Sequence, residues 1–119
     1  MRKIDFTCKK IVLKDLIQCN YNLNESEYAI FSKLINSKKG YSVKELVEKI
    51  GKDRTTVQKI VSKLLKRDLL TKKQINLERG FMFLYLAKNK ENVISEIENN
   101  VNNYFNSVRE SLEKWKSKI

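Results

Sequence analysis

The stretch GKDRTTVQKIVSKLLKRDLL, residues 51–70, decides how this chain is read. Gly51 offers a left-handed exit from a preceding helix, and Asp53 is an N-cap for the next. Val57, Ile60, Val61, Leu64 and Leu65 then recur at the helical period on one side. Thr55, Gln58, Lys59, Ser62 and Lys66 occupy the other side, flanked by Arg54 and Lys63. Every charged residue between the Asp53 cap and Asp68 is cationic, whereas a helix that only bridges solvent tends to mix acids and bases. A short turn followed by a helix with one apolar and one basic face, over about 54–67, suits the DNA major groove.

The polar face carries groups that read bases as well as groups that neutralise phosphate. Gln58 suits a bidentate contact to adenine, Arg54 or Lys59 a contact to guanine, and Thr55 a phosphate or thymine methyl. Ser62, Lys63 and Lys66 extend the same surface. The central role of Gln58 rests on helical phase, and a one-residue rotation passes it to Thr55, Lys59 or Ser62.

Upstream, Ser42-x-x-Glu45 has the form of a capping box for a helix burying Val43, Leu46, Val47 and Ile50. Asn24-x-x-Glu27 opens another, with Tyr28, Phe31, Leu34 and Ile35 on one face, ending before Gly40. Val12, Leu13, Leu16 and Ile17 have helical spacing and predict a short helix to about Asn20. Ile4, Phe6 and Cys8 alternate, so residues 3–8 are expected to form a short edge strand.

Downstream of Asp68 the period changes. Leu69–Ile75 and Phe81–Leu86 flank a turn at residues 76–80, which predicts a hairpin closed by a G1-type or slightly longer loop. Lys72 and Lys73 lie on its first strand. Arg79 lies at the tip, suited to a minor groove or a backbone phosphate. The 81–86 strand is apolar on both faces, so something must cover it: the N-terminal strand, the last helix or a second subunit.

The last helix is expected from about Asn89 to Lys118. Ile94, Val101, Val108 and Trp115 recur every seven residues, with Ile97 and Tyr104 on one flank and Phe105, Leu112 and Ile119 on the other. A helix of some 45 Å outruns so small a domain, which favours pairing with a second helix. Its acids Glu91, Glu96 and Glu98 come early and Arg109, Lys114, Lys116 and Lys118 late, so antiparallel pairing sets opposite charges together.

The net charge of +11 over 119 residues is unevenly placed. Residues 51–79 carry nine cations against three anions, residues 1–50 ten against six, and residues 80–119 six against five. Over half of the excess therefore sits on the recognition segment and hairpin, the footprint expected for a phosphate backbone. A lysine-rich solubilising surface would not concentrate there.

No apolar run is long enough to span a membrane, and none follows Arg2 and Lys3 as a signal peptide would, so a cytoplasmic, unprocessed protein is expected. Cys8 and Cys19 lack metal-ligand spacing and the chain has no histidine, so no metal or cofactor is expected; small buried hydrophobes are their expected role. An enzyme is not expected, since there is no phosphate loop and no nucleophile with a base. Glu45 and Glu48 read as a solvated helix face.

With these residues in place the chain resembles the MarR and TrmB-like winged-helix regulators, and among them the small archaeal Lrs-type, Lrp-like proteins. The resemblance lies in LKDLIQCNYNLNESEYAIFSKL at residues 13–34, the 51–70 segment and the long C-terminal helix. It implies a homodimer joined through C-terminal helices, with one recognition helix per subunit in the major groove of double-stranded DNA and the wing on the flanking minor groove.

The expected fold class is therefore mainly α with a small β wing. A winged helix-turn-helix DNA-binding domain with an N-terminal extension occupies residues 1–88, and a coiled-coil dimerisation helix 89–119. The expected function is transcription regulation. The alternative is an architectural nucleoid-associated protein that uses the same charges with little sequence specificity.

Overall fold

The computed structural model describes the backbone of residues 4–5 and 10–118 and the side chains of residues 11–118. In chain order the elements are β1 (Ile4–Asp5), β2 (Lys10–Ile11), α1 (Leu13–Tyr21), α2 (Glu25–Ile35), α3 (Val43–Ile50), α4 (Arg54–Lys66), β3 (Leu70–Asn76), β4 (Phe81–Ala87) and α5 (Lys90–Ser117). Helices dominate, with one substantial hairpin and a long last helix.

Helices α2 to α5 each begin on a side-chain cap, at Asn24, Ser42, Asp53 and Asn89. The Asn24 side chain accepts from the Glu27 N–H at 2.8 Å while the Glu27 carboxylate accepts from the Asn24 N–H at 2.9 Å. Ser42 and Glu45 repeat that exchange at the start of α3. Gly51 ends α3 at φ 78°, and Asp68 takes φ 60° just past α4, where a glycine or asparagine is the usual occupant.

The core lies where α2, α3, α4 and the base of the β3–β4 hairpin meet. Phe31, Ile30, Leu34, Leu46, Val57, Leu64 and Leu69 are its fully buried side chains. Ile30 belongs to this set although the expected α2 face omitted it, while Tyr28 and Ile35 are only half-buried. In α3 only Leu46 is buried; Val43, Val47 and Ile50 are half-buried because the helix packs one edge against α4.

β4 pairs antiparallel with β3 from Leu70↔Ala87 to Asn76↔Phe81. On its other edge Tyr41 exchanges both backbone hydrogen bonds with Tyr85, at 3.0 and 2.8 Å. Within the domain, α2, α3 and the Gly40–Tyr41 segment cover the inner part of β4, a cover that the expectation did not include. At Gly40 an added Cβ would stand 3.1 Å from Leu84 and Leu86, so the strand approaches the bare backbone closely.

Two expectations near the N-terminus change. Of the strand expected over 3–8, Ile4–Asp5 pairs with Lys10–Ile11, and the remainder, with Cys8, lies outside the described residues. Cys19 is exposed and not a buried hydrophobe. Ile17 and Tyr21, four apart, turn α1 toward the core, which leaves Cys19 between them on the outer side.

α5 is 28 residues, about 42 Å at the standard rise. Only its first turns rest on the domain, through buried Val93, half-buried Ile97 and an Asn100–Asn20 hydrogen bond. From Val101 to Lys118 every residue is exposed, and the molecule measures 73 Å along its longest axis.

Candidate nucleic-acid interface

α4 starts on the Asp53 cap, whose carboxylate accepts from the Thr56 N–H at 3.2 Å and from the Thr56 hydroxyl. The Thr56 hydroxyl, and then its N–H, hold the Asp53 carboxyl below its ordinary range. With Val57, Ile60, Val61 and Leu64 buried, the helix has one rotational setting. That setting exposes Arg54, Thr55, Gln58, Lys59, Ser62 and Lys66 together.

Lys63 differs from its neighbours. Its ammonium lies 2.7 Å from the Glu27 carboxylate and 3.2 Å from the Asn22 carbonyl oxygen, so its charge is committed inside the domain. Burial alone would raise the Glu27 pKa, but Lys63 and the Asn24 N–H outweigh it and hold the carboxyl below its usual range. Arg67, absent from the expected DNA-contacting set although it falls within the expected helix, donates to the Tyr21 carbonyl. It stands four residues after Lys63 and eight after Lys59, so helical phase already carried the signal. Lys59, Ser62, Lys63, Lys66 and Arg67 line a shallow cleft of about 500 Å³.

Lys72 pairs with Tyr85 and Lys73 with Leu84, so the two lysines point to opposite faces of the ribbon. Lys72 lies 4.5 Å from the centre of the Phe83 ring, and Phe83 meets Phe81 edge-on at 5.4 Å. At the tip Arg79 is exposed, and Gly80 turns the chain at φ 80° with the Leu77 N–H donating to the Gly80 carbonyl. That left-handed glycine is the residue a G1-type closure requires.

On α5, Ile94, Val101, Tyr104, Phe105, Val108, Leu112 and Trp115 are all exposed, with Tyr104 73% and Trp115 70% accessible. Ile97, in the expected seam, stands one turn after buried Val93 and packs half-buried against the domain core.

Glu96 is also spent internally. It accepts from the Tyr21 hydroxyl and from Lys88, whose ammonium reaches Asp68 at 3.6 Å. Lys88 first, and then Tyr21, hold the Glu96 carboxyl below its ordinary range, while burial and the Glu96 hydrogen bond push the Tyr21 phenol up. This chain of contacts ties the base of α5 to α1 and to the residue that terminates α4.

Among the described residues no group of histidine, cysteine or carboxylate side chains is placed to hold a metal, and no helix is long and apolar enough to cross a membrane.

Comparison with known proteins gives a consistent picture. An uncharacterized protein of Methanocaldococcus jannaschii is 30% identical over 104 residues, spanning 87% of this chain and 86% of that one. A solved structure described as a possible transcriptional regulator of Methanosarcina mazei Go1 superposes with a TM-score of 0.81 at 26% identity, covering 96% of this chain and 97% of that one. A MarR-family transcriptional regulator of Rhodococcus sp. RHA1 shares the fold, with a TM-score of 0.53 at 15% identity over 83% of this chain and 78% of its own. The sequence profile of the sugar-specific transcriptional regulator TrmB matches residues 17–82. This winged-helix chain, with its mostly helical domain, hairpin and long last helix, belongs to the TrmB family of transcriptional regulators.

Proposed function

We propose that the protein regulates transcription as a cytoplasmic homodimer that binds double-stranded DNA, with α4 in the major groove and the β3–β4 hairpin against the flanking minor groove. The observation that carries this reading is the face of α4. Its apolar side is consumed by the core, and the side left to solvent holds Arg54, Lys59 and Lys66 around Gln58, Thr55 and Ser62 without an acid. Cations position such a helix on phosphate, and the amide and hydroxyls read base edges. Lys72, Lys73 and Arg79 extend the positive surface along the hairpin. Lys63 is best assigned to holding α4 in place, since Glu27 already takes its charge.

In this reading a DNA-binding domain runs to Lys88 and a pairing helix starts at Asn89. Val101, Tyr104, Phe105, Val108, Leu112 and Trp115 expose too much apolar surface for a lone helix in water, and a second copy buries it as a coiled coil. The 13–34 segment supports placement beside the small archaeal Lrs-type regulators.

The test is a footprint of the purified protein on the DNA upstream of its own gene, with a scrambled duplex alongside. Protection of a near-palindrome supports a site-specific regulator. Equal binding to both duplexes would replace it with the architectural alternative.

A further inference from the structure

The hairpin beyond Tyr85 carries side chains that neither the core nor the charge of the interface explains. Tyr85 is the last residue of β4 bonded to Tyr41 on its outer edge, and between there and the tip the ribbon is two-stranded. Phe81 stands four residues further out, roughly 13 Å at the strand rise, and is 58% exposed. Leu77, at the turn, is 50% exposed. An aromatic ring at the far end of a ribbon gives up stability in water, because its apolar surface stays wet and, among the described residues, no other element folds over it.

Phe81 is also braced. Its ring meets Phe83 edge-on at 5.4 Å, and Phe83 is capped by the Lys72 ammonium at 4.5 Å. A ring held this way presents a fixed apolar edge. The charge around it selects the occupant: Lys72, Lys73 and Arg79 are the cations of residues 70–87 and Glu78 the sole acid. A protein surface would need matching acids around an apolar pocket, whereas DNA offers phosphates on either side of a stack of planar, apolar base faces.

We propose that Phe81 is an intercalating wedge. With Arg79 in the minor groove, the Phe81 ring enters a base step beside it, partly unstacks the two pairs and kinks the duplex toward the major groove, while Leu77 packs against the sugars. Proteins that insert an apolar side chain in this way bend DNA by roughly 20–90°. The inference deepens the DNA-binding reading and depends on it: the same hairpin that positions the protein also deforms its site, so sequence preference includes an easily unstacked step such as TA next to the recognition-helix contacts.

The experiment uses the full chain at low salt and an A+T-rich duplex of about 30 base pairs with central TA steps. Fluorophores at its two ends report bending, and 2-aminopurine at the central steps reports unstacking. All readings are taken at protein concentrations where anisotropy shows the duplex fully bound, so affinity differences drop out. The wild-type complex should have a shortened end-to-end distance and brighter 2-aminopurine. Phe81→Ala should return both signals most of the way to those of free DNA, and Phe81→Leu should retain a large part of the bend. Leu13→Ser, which removes an exposed apolar side chain on α1, should bend like the wild type. A bound wild-type duplex that stays straight and stacked overturns the wedge and leaves DNA binding intact, as does a Phe81→Ala complex bent as strongly as the wild type. Dissociation of the free protein by Phe81→Ala in sedimentation would also overturn it, by assigning the ring to a contact between copies. Failure of the wild type to bind any duplex defeats the DNA-binding reading itself.

Discussion

The Lys63 ammonium lies 2.7 Å from a Glu27 carboxylate that is itself almost wholly buried, and this pair joins α4 to α2. One lysine of α4 is therefore held inside the scaffold, while its neighbours one turn either side, Lys59 and Lys66, are exposed.

Lys63→Ala should consequently behave as a stability variant. It strands a buried carboxylate at a cost of about 1–3 kcal/mol, below the figure for a fully buried pair because the Lys63 side chain is 32% exposed. Urea unfolding should show that loss, and Lys59→Ala should show almost none. Equal unfolding midpoints for the two variants would contradict the assignment.

Acid should release the same pair. The Glu27 carboxyl titrates below its ordinary 4.5, so its contribution is fully present above that value and disappears as pH falls through the depressed folded value. Glu27→Gln should flatten the acid limb of a stability-against-pH curve while lowering stability at neutral pH. A Glu27→Gln curve parallel to the wild type at every pH would show that the pair has no such role.

Tyr21→Phe removes the hydroxyl that donates to Glu96 and should loosen the seat of α5 on the domain. One hydrogen bond to a charged acceptor contributes about 1–2 kcal/mol. Amide exchange should quicken at residues 93–100 and stay unchanged past residue 110, where α5 touches nothing in its own domain. Uniform protection in both proteins would argue that the seat is held by Val93 and Ile97 alone.

Replacing Val101 and Val108 with Glu tests the pairing helix. Both side chains are exposed in the single chain, so circular dichroism should report an unaltered fold. In a paired state two charges would enter an apolar seam, which weakens association by roughly 2 kcal/mol or more per buried charge. Sedimentation should find the parent protein dimeric at micromolar concentration and the variant monomeric. A monomeric parent would remove the pairing proposal.

Reading and holding can be separated on the DNA. Gln58→Ala should cost about 1–3 kcal/mol on the protected site and little on scrambled duplex, whereas Lys72→Ala should weaken both alike. Raising salt from about 50 to 200 mM should lower the affinity by orders of magnitude if a dimer neutralises roughly six to ten phosphates. A flat salt response would speak against phosphate contact altogether.

How much of this was legible without coordinates depended on whether the signal was local. Caps and periods are local, so Asn24, Ser42, Asp53, Gly51 and the two faces of α4 were readable from spacing, as were the hairpin turn and the long last helix. Which helical face is buried was readable wherever apolar residues crowd one side, and blurred in α2, where Ile30 sits beside Phe31 and both fit the period. Partnerships between distant residues were not readable. Nothing in the spacing says that Lys63 meets Glu27, that Glu96 meets Tyr21 and Lys88, or that Ile97 turns inward while Ile94 does not, because those contacts depend on how α1, α2 and α5 pack. Composition likewise counted Lys72 and Lys73 together, and the strand pleat, together with register, put them on opposite faces. The sequence by itself determined the elements, their caps and the concentration of charge. Tertiary packing alone decided which of those charges are paired and which stay exposed, since an ion pair forms between helices that only the closed core brings within reach.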